Sequence, residues 1–170
     1  SNRRKIQTKV QMKSITTYIN EKMIYSKHNA SKFNYCPKDR DELKQIIIDH
    51  LKNENGDLTD IDVSEVDNFN GLFRRLATPP IRDIVEIDVT GWDTSNVTTM
   101  ARMFFGCFKL EKIKGIEDWN ISKVESMRSM FYNCEKLQLD ISSWNIKPEC
   151  EIEKIAYNTE HIKLPKSISI

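Results

Sequence analysis

Residues 92–110 have the sequence WDTSNVTTMARMFFGCFKL, and residues 119–137 have the sequence WNISKVESMRSMFYNCEKL. The two stretches align without a gap, and an earlier, degenerate copy, IDVSEVDNFNGLFRRL, begins at Ile61. A fourth copy begins at Trp144 as WNIKPEC and then stops matching. Agreement at so many positions in one register indicates an internal repeat of about 25 residues, the sequence signature of a stacked repeat architecture.

The same apolar residue types return at the same offset in each copy, which predicts that they form the core. These structural positions are Trp92, Trp119, Trp144, Phe73, Phe104, Phe131, Met100, Met127, Cys107 and Cys134. Within a copy, the apolar residues follow one another at helical spacing, which predicts a short amphipathic helix. Ser64, Ser95 and Ser122 precede these stretches, and we expect each helix to begin just after its serine, with the hydroxyl as the N-cap.

Short alternating runs that precede the repeats predict strands. Residues 87–89 (Ile-Asp-Val) and 139–141 (Leu-Asp-Ile) place apolar side chains on one face, whereas the run through Ile113 and Ile116 is one residue longer and predicts an irregular strand. A repeat of strand, turn and short helix cannot bury its apolar face alone. The predicted fold class is therefore α/β, a short right-handed solenoid similar to leucine-rich repeats, with an N-terminal helical cap.

The repeats divide the chain into three parts. Residues 1–57 are predicted as an N-terminal helical segment and cap, residues 58–147 as the repeats, and residues 148–170 as a C-terminal cap whose isoleucines cover the last repeat. Acidic residues followed by apolar residues at helical spacing predict a helix within 36–53. A weaker amphipathic pattern over 11–24 predicts a second helix that hangs loosely or docks onto a partner.

Composition and charge exclude several classes of function. The 26 basic and 25 acidic residues give a net charge of +1, which provides no general attraction to nucleic acid or to an anionic membrane. No run of about 18 apolar residues predicts a transmembrane segment. The four cysteines form no CxxC pair, which favours free thiols over a disulfide framework.

No combination of residues predicts catalysis, a metal or a cofactor. The sequence contains none of the motifs GxGxxG, GxxxxGK[ST], HExxH or GxSxG. The three histidines are far apart in sequence, and His50 is predicted to be a partly exposed residue of the capping helix. Cys107 and Cys134 are expected to be neighbours in adjacent repeats, where a ladder of small buried side chains is favoured over a disulfide or shared metal. The protein is therefore expected not to be an enzyme.

The strand positions that point away from the core predict a partner-binding face. We call this set of residues the strand face: Glu86, Asp88, Thr90, Glu117, Gln138, Asp140 and Ser142. Lys114 is a further outward position, in the same rung as Glu117. The set is polar and mildly acidic, which predicts a partner with Lys or Arg at the contact. The alternative is that these are ordinary solvated strand positions.

The pattern Trp-Asp/Asn, Ser-x-Val, Met-x-x-Met-Phe and Cys-x-x-Leu resembles the repeat of BspA-like bacterial surface proteins. This divergent leucine-rich repeat also occurs in mycoplasma lipoproteins and in other low-GC bacterial or phage-associated proteins. The resemblance covers about residues 58–147. It implies a binding or adhesion scaffold, often at a cell surface, without catalysis.

Three functions remain open at this point. The first is a non-catalytic protein–protein interaction module of bacterial or phage origin, monomeric or weakly dimeric, that binds an unidentified protein and no nucleic acid. The second is a cytoplasmic immunity protein or inhibitor that masks a toxin or enzyme. The third is a fragment of a surface adhesin or lipoprotein. As the sequence stands we expect a cytoplasmic location, and a surface or secreted one if an upstream signal was removed.

Overall fold

A computed structural model describes residues 33–53, 56–74 and 84–168. Its helix α1 spans Arg40–Asn53. Four short strands follow: β1 (Glu86–Asp88), β2 (Lys112–Lys114), β3 (Leu139–Asp140) and β4 (Ile162–Lys163). None of the helices in these ranges is long and apolar enough to cross a membrane. The weaker helix predicted over 11–24 lies outside the described residues.

The helix predicted within 36–53 is confirmed as α1. Asp39 caps its N-terminus, because its Oδ1 accepts hydrogen bonds from the backbone N–H groups of Asp41 and Glu42, both at 2.9 Å. One turn apart on the inner side of the helix, Leu43 and Ile47 are fully buried in the core. The helix therefore begins at a capped turn and buries one apolar stripe.

β1 and β3 overlap the predicted runs 87–89 and 139–141, and β2 lies in the run predicted to be irregular. β4 was not predicted, and the strands pair in parallel. In β1 and β2, Ile87 is opposite Ile113 and both side chains are buried, while the residues on either side of them point outward. β3 pairs in the same direction with β4. The irregular run after β2 is explained by Gly115, which has φ +81 and is followed by a 3₁₀ helix at Ile116–Asp118.

The short helices predicted after the serines are wrong: residues 99–106 and 126–133 form successive turns. Arg102 and Ser129, at equivalent positions of the two repeats, have a φ of 54°, which an α-helix does not allow. Their amides donate to the next repeat instead of to the carbonyl four residues earlier: Arg102 N–H to Arg128 O at 2.9 Å and Ser129 N–H to Glu153 O at 2.9 Å.

We call residues 68–74, 99–106, 126–133 and 151–158 the turn segments. Alternate amides of each segment donate to carbonyls of the next one, as Phe73 does to Met103, Phe104 to Met130 and Phe131 to Ile155, at 2.8 to 2.9 Å. The sequence match ends at Pro148, but the hydrogen bonds continue into the fourth segment. The repeated backbone conformation thus extends beyond the repeated sequence, because it depends on backbone groups that every residue carries.

The serines do not act as helix caps. The backbone N–H groups of Ser64, Ser95 and Ser122 instead donate to the side-chain oxygens of Asp62, Asp93 and Asn120, each two residues earlier and each at 3.0 Å. This arrangement is an Asx turn, which competes with helix formation for the same residues. The predicted capping pattern was wrong because the Asp or Asn two residues before each serine accepts a hydrogen bond from the serine N–H and closes a local turn.

Equivalent apolar residues of successive repeats stack on one another. The Phe73 and Phe104 rings lie 4.9 Å apart and the Phe104 and Phe131 rings 5.6 Å apart, nearly parallel. The Trp92 and Trp119 rings lie 6.1 Å apart at an angle of 2°. Burial of each such ring contributes about 1.5–3 kcal/mol to the free energy of unfolding. All ten predicted structural positions are buried: Trp92, Trp119, Trp144, Phe73, Phe104, Phe131, Met100, Met127, Cys107 and Cys134.

The cysteines form the predicted ladder without a disulfide. Cys107 Sγ donates to Phe73 O at 3.2 Å, and Cys134 Sγ donates to Phe104 O at 3.0 Å, so each thiol reaches back to the preceding repeat. In the C-terminal region, Ile155 is buried, whereas Ile152 and Ile162 are partly buried against the core. These side chains cover part of the last repeat.

Candidate partner-binding face

Charged side chains of β1 and β2 pair across the N-terminal half of the strand face. Glu86 forms an ion pair with Lys114. A hydrogen bond from this lysine lowers the pKa of the Glu86 carboxyl, and the same contact raises the pKa of Lys114. Each charge of this pair is therefore balanced by its neighbour in the next repeat.

Asp88 and Thr90 form a local turn at the end of β1. Asp88 Oδ1 accepts a hydrogen bond from Thr90 N–H at 3.0 Å. The backbone of Asp88 pairs with the first repeat: its N–H donates to Gly56 O at 2.8 Å, and its C=O accepts from Leu58 N–H at 2.9 Å. Asp88 is half-buried and Thr90 is exposed. Asp88 thus has a structural role in addition to any contact with a partner.

Asp140 accepts hydrogen bonds from both Ser142 and Lys163. Its Oδ1 accepts from Ser142 Oγ at 2.6 Å and from Ser142 N–H at 3.1 Å, and its Oδ2 lies 3.1 Å from Lys163 Nζ. The bonds from Ser142, followed by that from Lys163, lower the pKa of the carboxyl to about 2. Asp140, Ser142 and Lys163 are all exposed, so this ion pair faces solvent.

Three of the seven predicted residues line two concavities, whereas the other four, including Ser142, line neither. Gln138 and Asp140 line an open concavity of about 710 Å³, together with His161 and Lys163. Glu117 lines a smaller one of about 310 Å³ beside Trp119 and Trp144. Glu86, Asp88 and Thr90 lie outside both groups of lining residues.

The sequence prediction included Lys114 as an outward position but missed Lys112, Lys163 and the pairing of lysines with acids. Lys112 and Lys114 flank Ile113 in β2 just as Glu86 and Asp88 flank Ile87 in β1, and the register places acid opposite lysine. Aligning the strand sequences EID and KIK reveals this alternation. The strand face is therefore a field of mixed charges, not an acidic patch.

Sequence reasoning also missed a row of aromatic side chains, which we call the aromatic column: Phe105, Tyr132 and Tyr157. The rings stack at 4.7 Å and 5.0 Å between centroids. The Arg74 guanidinium lies 5.4 Å from the Phe105 centroid, at the start of the column. Tyr157, at the other end, is 53% exposed. The sequence signal was an aromatic residue directly after each of the equivalent positions Phe104, Phe131 and Ala156.

His50 is buried, contrary to the predicted partly exposed position, with only 4% of its surface exposed. Its Nδ1 lies 3.0 Å from Ile46 O and its Nε2 3.0 Å from Asp60 Oδ1, so it ties α1 to the start of the first repeat. The predicted exposure was wrong because Asp60 and the Tyr35 ring cover this side of the helix.

Groups with metal-binding potential are dispersed in the part of the chain that the structure describes. No cluster of three or more His, Cys, Asp or Glu side chains there could hold a metal ion. Cys150 is buried, and desolvation raises the pKa of its thiol.

Comparison with known proteins places the chain in a family. A model of the family described as "Mycoplasma protein of unknown function, DUF285" matches residues 41–167. No curated protein matches, and no solved structure matches. The chain belongs to the DUF285 family, whose model covers α1 from its second residue and all four strands.

Proposed function

We propose that this member of the DUF285 family is a short solenoid of BspA-like, leucine-rich-type repeats and that it acts as a non-catalytic protein-binding module. The observation that carries the proposal is the backbone pairing between successive turn segments, which joins all four of them. Strand pairing adds to it within two separate sheets, between β1 and β2 and between β3 and β4. Repeat proteins with such nearest-neighbour stacking use the resulting extended surfaces for binding.

The strand face is the surface that we propose for partner binding. Its ion pairs are exposed, and exposed pairs contribute little to stability because solvent screens them. A partner can therefore compete for Glu86 or Asp140 at little cost to the fold. The sequence predicted a partner with Lys or Arg at the contact. The mixed charges favour a partner that presents both acids and bases there, because charge complementarity determines which partners are rejected.

The surroundings of the cysteine and histidine side chains, which commonly act in catalysis, support a non-catalytic role. Cys107 and Cys134 are buried and donate to backbone carbonyls, and His50 lies between the helix and Asp60. A nucleophile needs an accessible site next to a base, and these side chains serve the packing of neighbouring repeats instead.

The experiment is affinity capture from a lysate of the source organism, with wild-type protein and a charge-swap variant, Glu86→Lys/Lys114→Glu. The swap retains the ion pair between positions 86 and 114 and reverses the order of charges on the strand face. It also places like charges opposite each other at positions 86 and 112 and at positions 88 and 114, so the stability of the variant has to be measured separately. We expect one stoichiometric partner with the wild type and a loss of at least tenfold in affinity with the swap. Equal binding of both proteins would contradict the strand face as the binding surface.

The same experiment separates the related functions. A partner that is a toxin or an enzyme, and that loses its activity on binding, would identify an inhibitor. Binding to host cells or matrix instead of to a lysate protein would identify an adhesin. Urea unfolding of the swap variant should show a cooperative transition at a urea concentration somewhat below that of the wild type, because like charges now lie opposite each other. A variant that is folded under the conditions of capture ensures that a loss of binding reflects the surface and not the fold.

A further inference from the structure

The two ends of the stacked turn segments differ in their hydrogen bonding. At the N-terminal end, side chains of α1 bond to carbonyls of the first segment: Arg40 Nε to Asn70 O, and Lys44 Nζ to Gly71 O at 3.2 Å. Burial lowers the pKa of Lys44. The chain therefore covers its own first turn segment with a helix.

The fourth turn segment has no such cover among the described residues. In the third segment, alternate amides donate forward: Met127 to Glu151 O, Ser129 to Glu153 O, Phe131 to Ile155 O and Asn133 to Tyr157 O, at 2.7 to 3.0 Å. The equivalent amides of the fourth segment donate to no described residue. We call these four N–H groups the amide edge: Ile152, Lys154, Ala156 and Asn158. An unpaired row of backbone donors is a template for another chain.

The aromatic column is open at the same end. Tyr132 stacks on one face of the Tyr157 ring, and among the described residues no ring or cation lies over the opposite face. An exposed aromatic face beside a row of donors offers both stacking and hydrogen bonds to one segment of polypeptide.

The direction of the hydrogen bonds determines what can bind there. A symmetric contact between two copies of this chain would oppose one amide edge to another, donor against donor, which cannot form hydrogen bonds. A head-to-tail contact would need the carbonyls of the first turn segment at the positions equivalent to Thr99, Ala101 and Met103. Of these, Asn70 O is already bonded to Arg40, and Lys44 of the same helix bonds to the segment at Gly71 O. This contact with α1 favours a separate segment of polypeptide over a second copy as the occupant.

We propose that the amide edge binds a segment of another protein that adds one more turn segment to the stack through its backbone carbonyls. The segment should have the local chemistry of this chain's own turns. In those turns an aromatic residue precedes a Gly or Asn of positive φ, as in Phe105-Gly106, Tyr132-Asn133 and Tyr157-Asn158. Addition of a strand to an open edge is an established mode of peptide recognition. The inference rests on the proposed protein-binding function and names a second surface for it.

The first test is amide exchange in the full chain. We expect Lys154 and Asn158 to exchange much faster than Ser129 and Phe131, whose amides bond to the next turn segment. Equal protection of the two sets would mean that the edge is already covered and would overturn the proposal.

The second test uses a synthetic peptide with the sequence of residues 119–137 as the probe, and a scrambled peptide as its control. Titration into the ¹⁵N-labelled full chain should shift the amides of the amide edge, and only the native peptide should do so. Tyr157→Ala should weaken binding about three- to tenfold, because stacking on its ring is lost. Phe108→Ala, which removes an exposed ring outside the column, should leave affinity unchanged.

The outcomes separate this inference from the proposed function. Absence of binding up to about 1 mM peptide, or shifts confined to the strand face, would overturn the amide edge as a site. Partner capture that still depends on Glu86 and Lys114 would then leave the proposed function standing. Capture that depends on Tyr157 and not on the charge swap would support the amide edge and reject the strand face.

Discussion

Substitution of Gly115 by Ala tests how closely the backbones of adjacent repeats approach. Gly115 has φ +81, and a Cβ there would lie 2.5 Å from Thr90 Cα and 2.7 Å from Thr90 N in the preceding repeat. Both atoms belong to the backbone, so no side-chain rotation relieves the overlap. Gly106 is the matched control, because it has φ +74 but its added Cβ would meet only the Phe108 ring at 3.7 Å, an ordinary contact.

The expected magnitudes follow from these contacts. The left-handed conformation costs an Ala about 1–2 kcal/mol, and the lower entropy of the unfolded Ala chain returns about 0.4–1 kcal/mol. Gly106→Ala should therefore lower the free energy of unfolding by about 1 kcal/mol. Gly115→Ala adds the backbone overlap, and overpacking costs about 1–3 kcal/mol, so its loss should be about 3 kcal/mol.

Urea unfolding monitored by tryptophan fluorescence measures both losses, because all three tryptophans are buried. Gly115→Ala should unfold at a clearly lower urea concentration than Gly106→Ala, with an unchanged dependence of free energy on urea. Equal losses for the two variants would refute a close approach of the backbones at Thr90.

Three further predictions compare related variants. Trp92 Nε1 donates to Leu58 O at 2.9 Å, whereas the buried Trp119 Nε1 has no hydrogen-bond partner among the described residues. Trp92→Phe should therefore destabilise the protein by about 1–3 kcal/mol more than Trp119→Phe, as measured by urea unfolding. The folded pKa of Asp140 is about 2, below its ordinary value of 3.8, so its contribution to stability is complete above about pH 4 and is lost as the pH falls toward 2. Asp140→Asn can keep the turn with Ser142 but does not titrate, and its stability should fall less than that of the wild type over this range in acid unfolding. Lys154 has φ 54 and is exposed, so Lys154→Gly should raise the thermal unfolding midpoint by relieving about 1–2 kcal/mol of strain, less the entropy cost of glycine.

Each of these predictions has an outcome that would contradict it. Equal destabilisation by the two Trp substitutions would mean that the Trp92 bond contributes nothing. Parallel acid unfolding curves for wild type and Asp140→Asn would exclude a contribution from this carboxylate, and the difference should shrink at high salt because the pair with Lys163 is exposed. A lower midpoint for Lys154→Gly would contradict the left-handed conformation at that position.

The repeat register, the strand positions and the capping helix were predictable because each depends on apolar periodicity. The ten structural positions could be found for the same reason, since a residue that recurs at one offset in a stack of repeats meets its own counterpart. Phe104 between Phe73 and Phe131 is an example. These features need no knowledge of the backbone conformation between the apolar residues.

The conformation of the turn segments was not predictable from that periodicity. Val97, Met100, Phe104 and Cys107 are spaced as on a helix, but successive turns that bury every third or fourth residue give the same spacing. Arg102 and Ser129 are not glycines, so their residue types do not indicate a positive φ. Only Gly71, at the equivalent position of the first repeat, is of a type that favours it. The hydrogen bonds that decide between helix and turns run to residues about 26 positions away.

The strand face was predictable as a set of outward positions but not as an electrostatic surface. Glu86 and Asp140 were recognised as outward acids of the strands and Lys114 as an outward lysine, whereas the pairing of Glu86 with Lys114 and of Asp140 with Lys163 becomes visible only when the parallel register is known. The amide edge could not be predicted, since it consists of backbone N–H groups that are unpaired only because no further turn segment follows the fourth one among the described residues.

The measurement that tests the stacking of repeats most directly is the NMR scalar coupling transmitted across hydrogen bonds in the ¹⁵N,¹³C-labelled chain. Stacked turn segments predict a coupling between the Phe104 amide nitrogen and the Met130 carbonyl carbon, whose hydrogen bond has an N···O distance of 2.9 Å. A helix in this stretch would instead couple Phe104 to Met100, four residues earlier. A coupling to Met130 would support the stacked repeats on which the proposed binding surfaces rest, and a coupling to Met100 would contradict them.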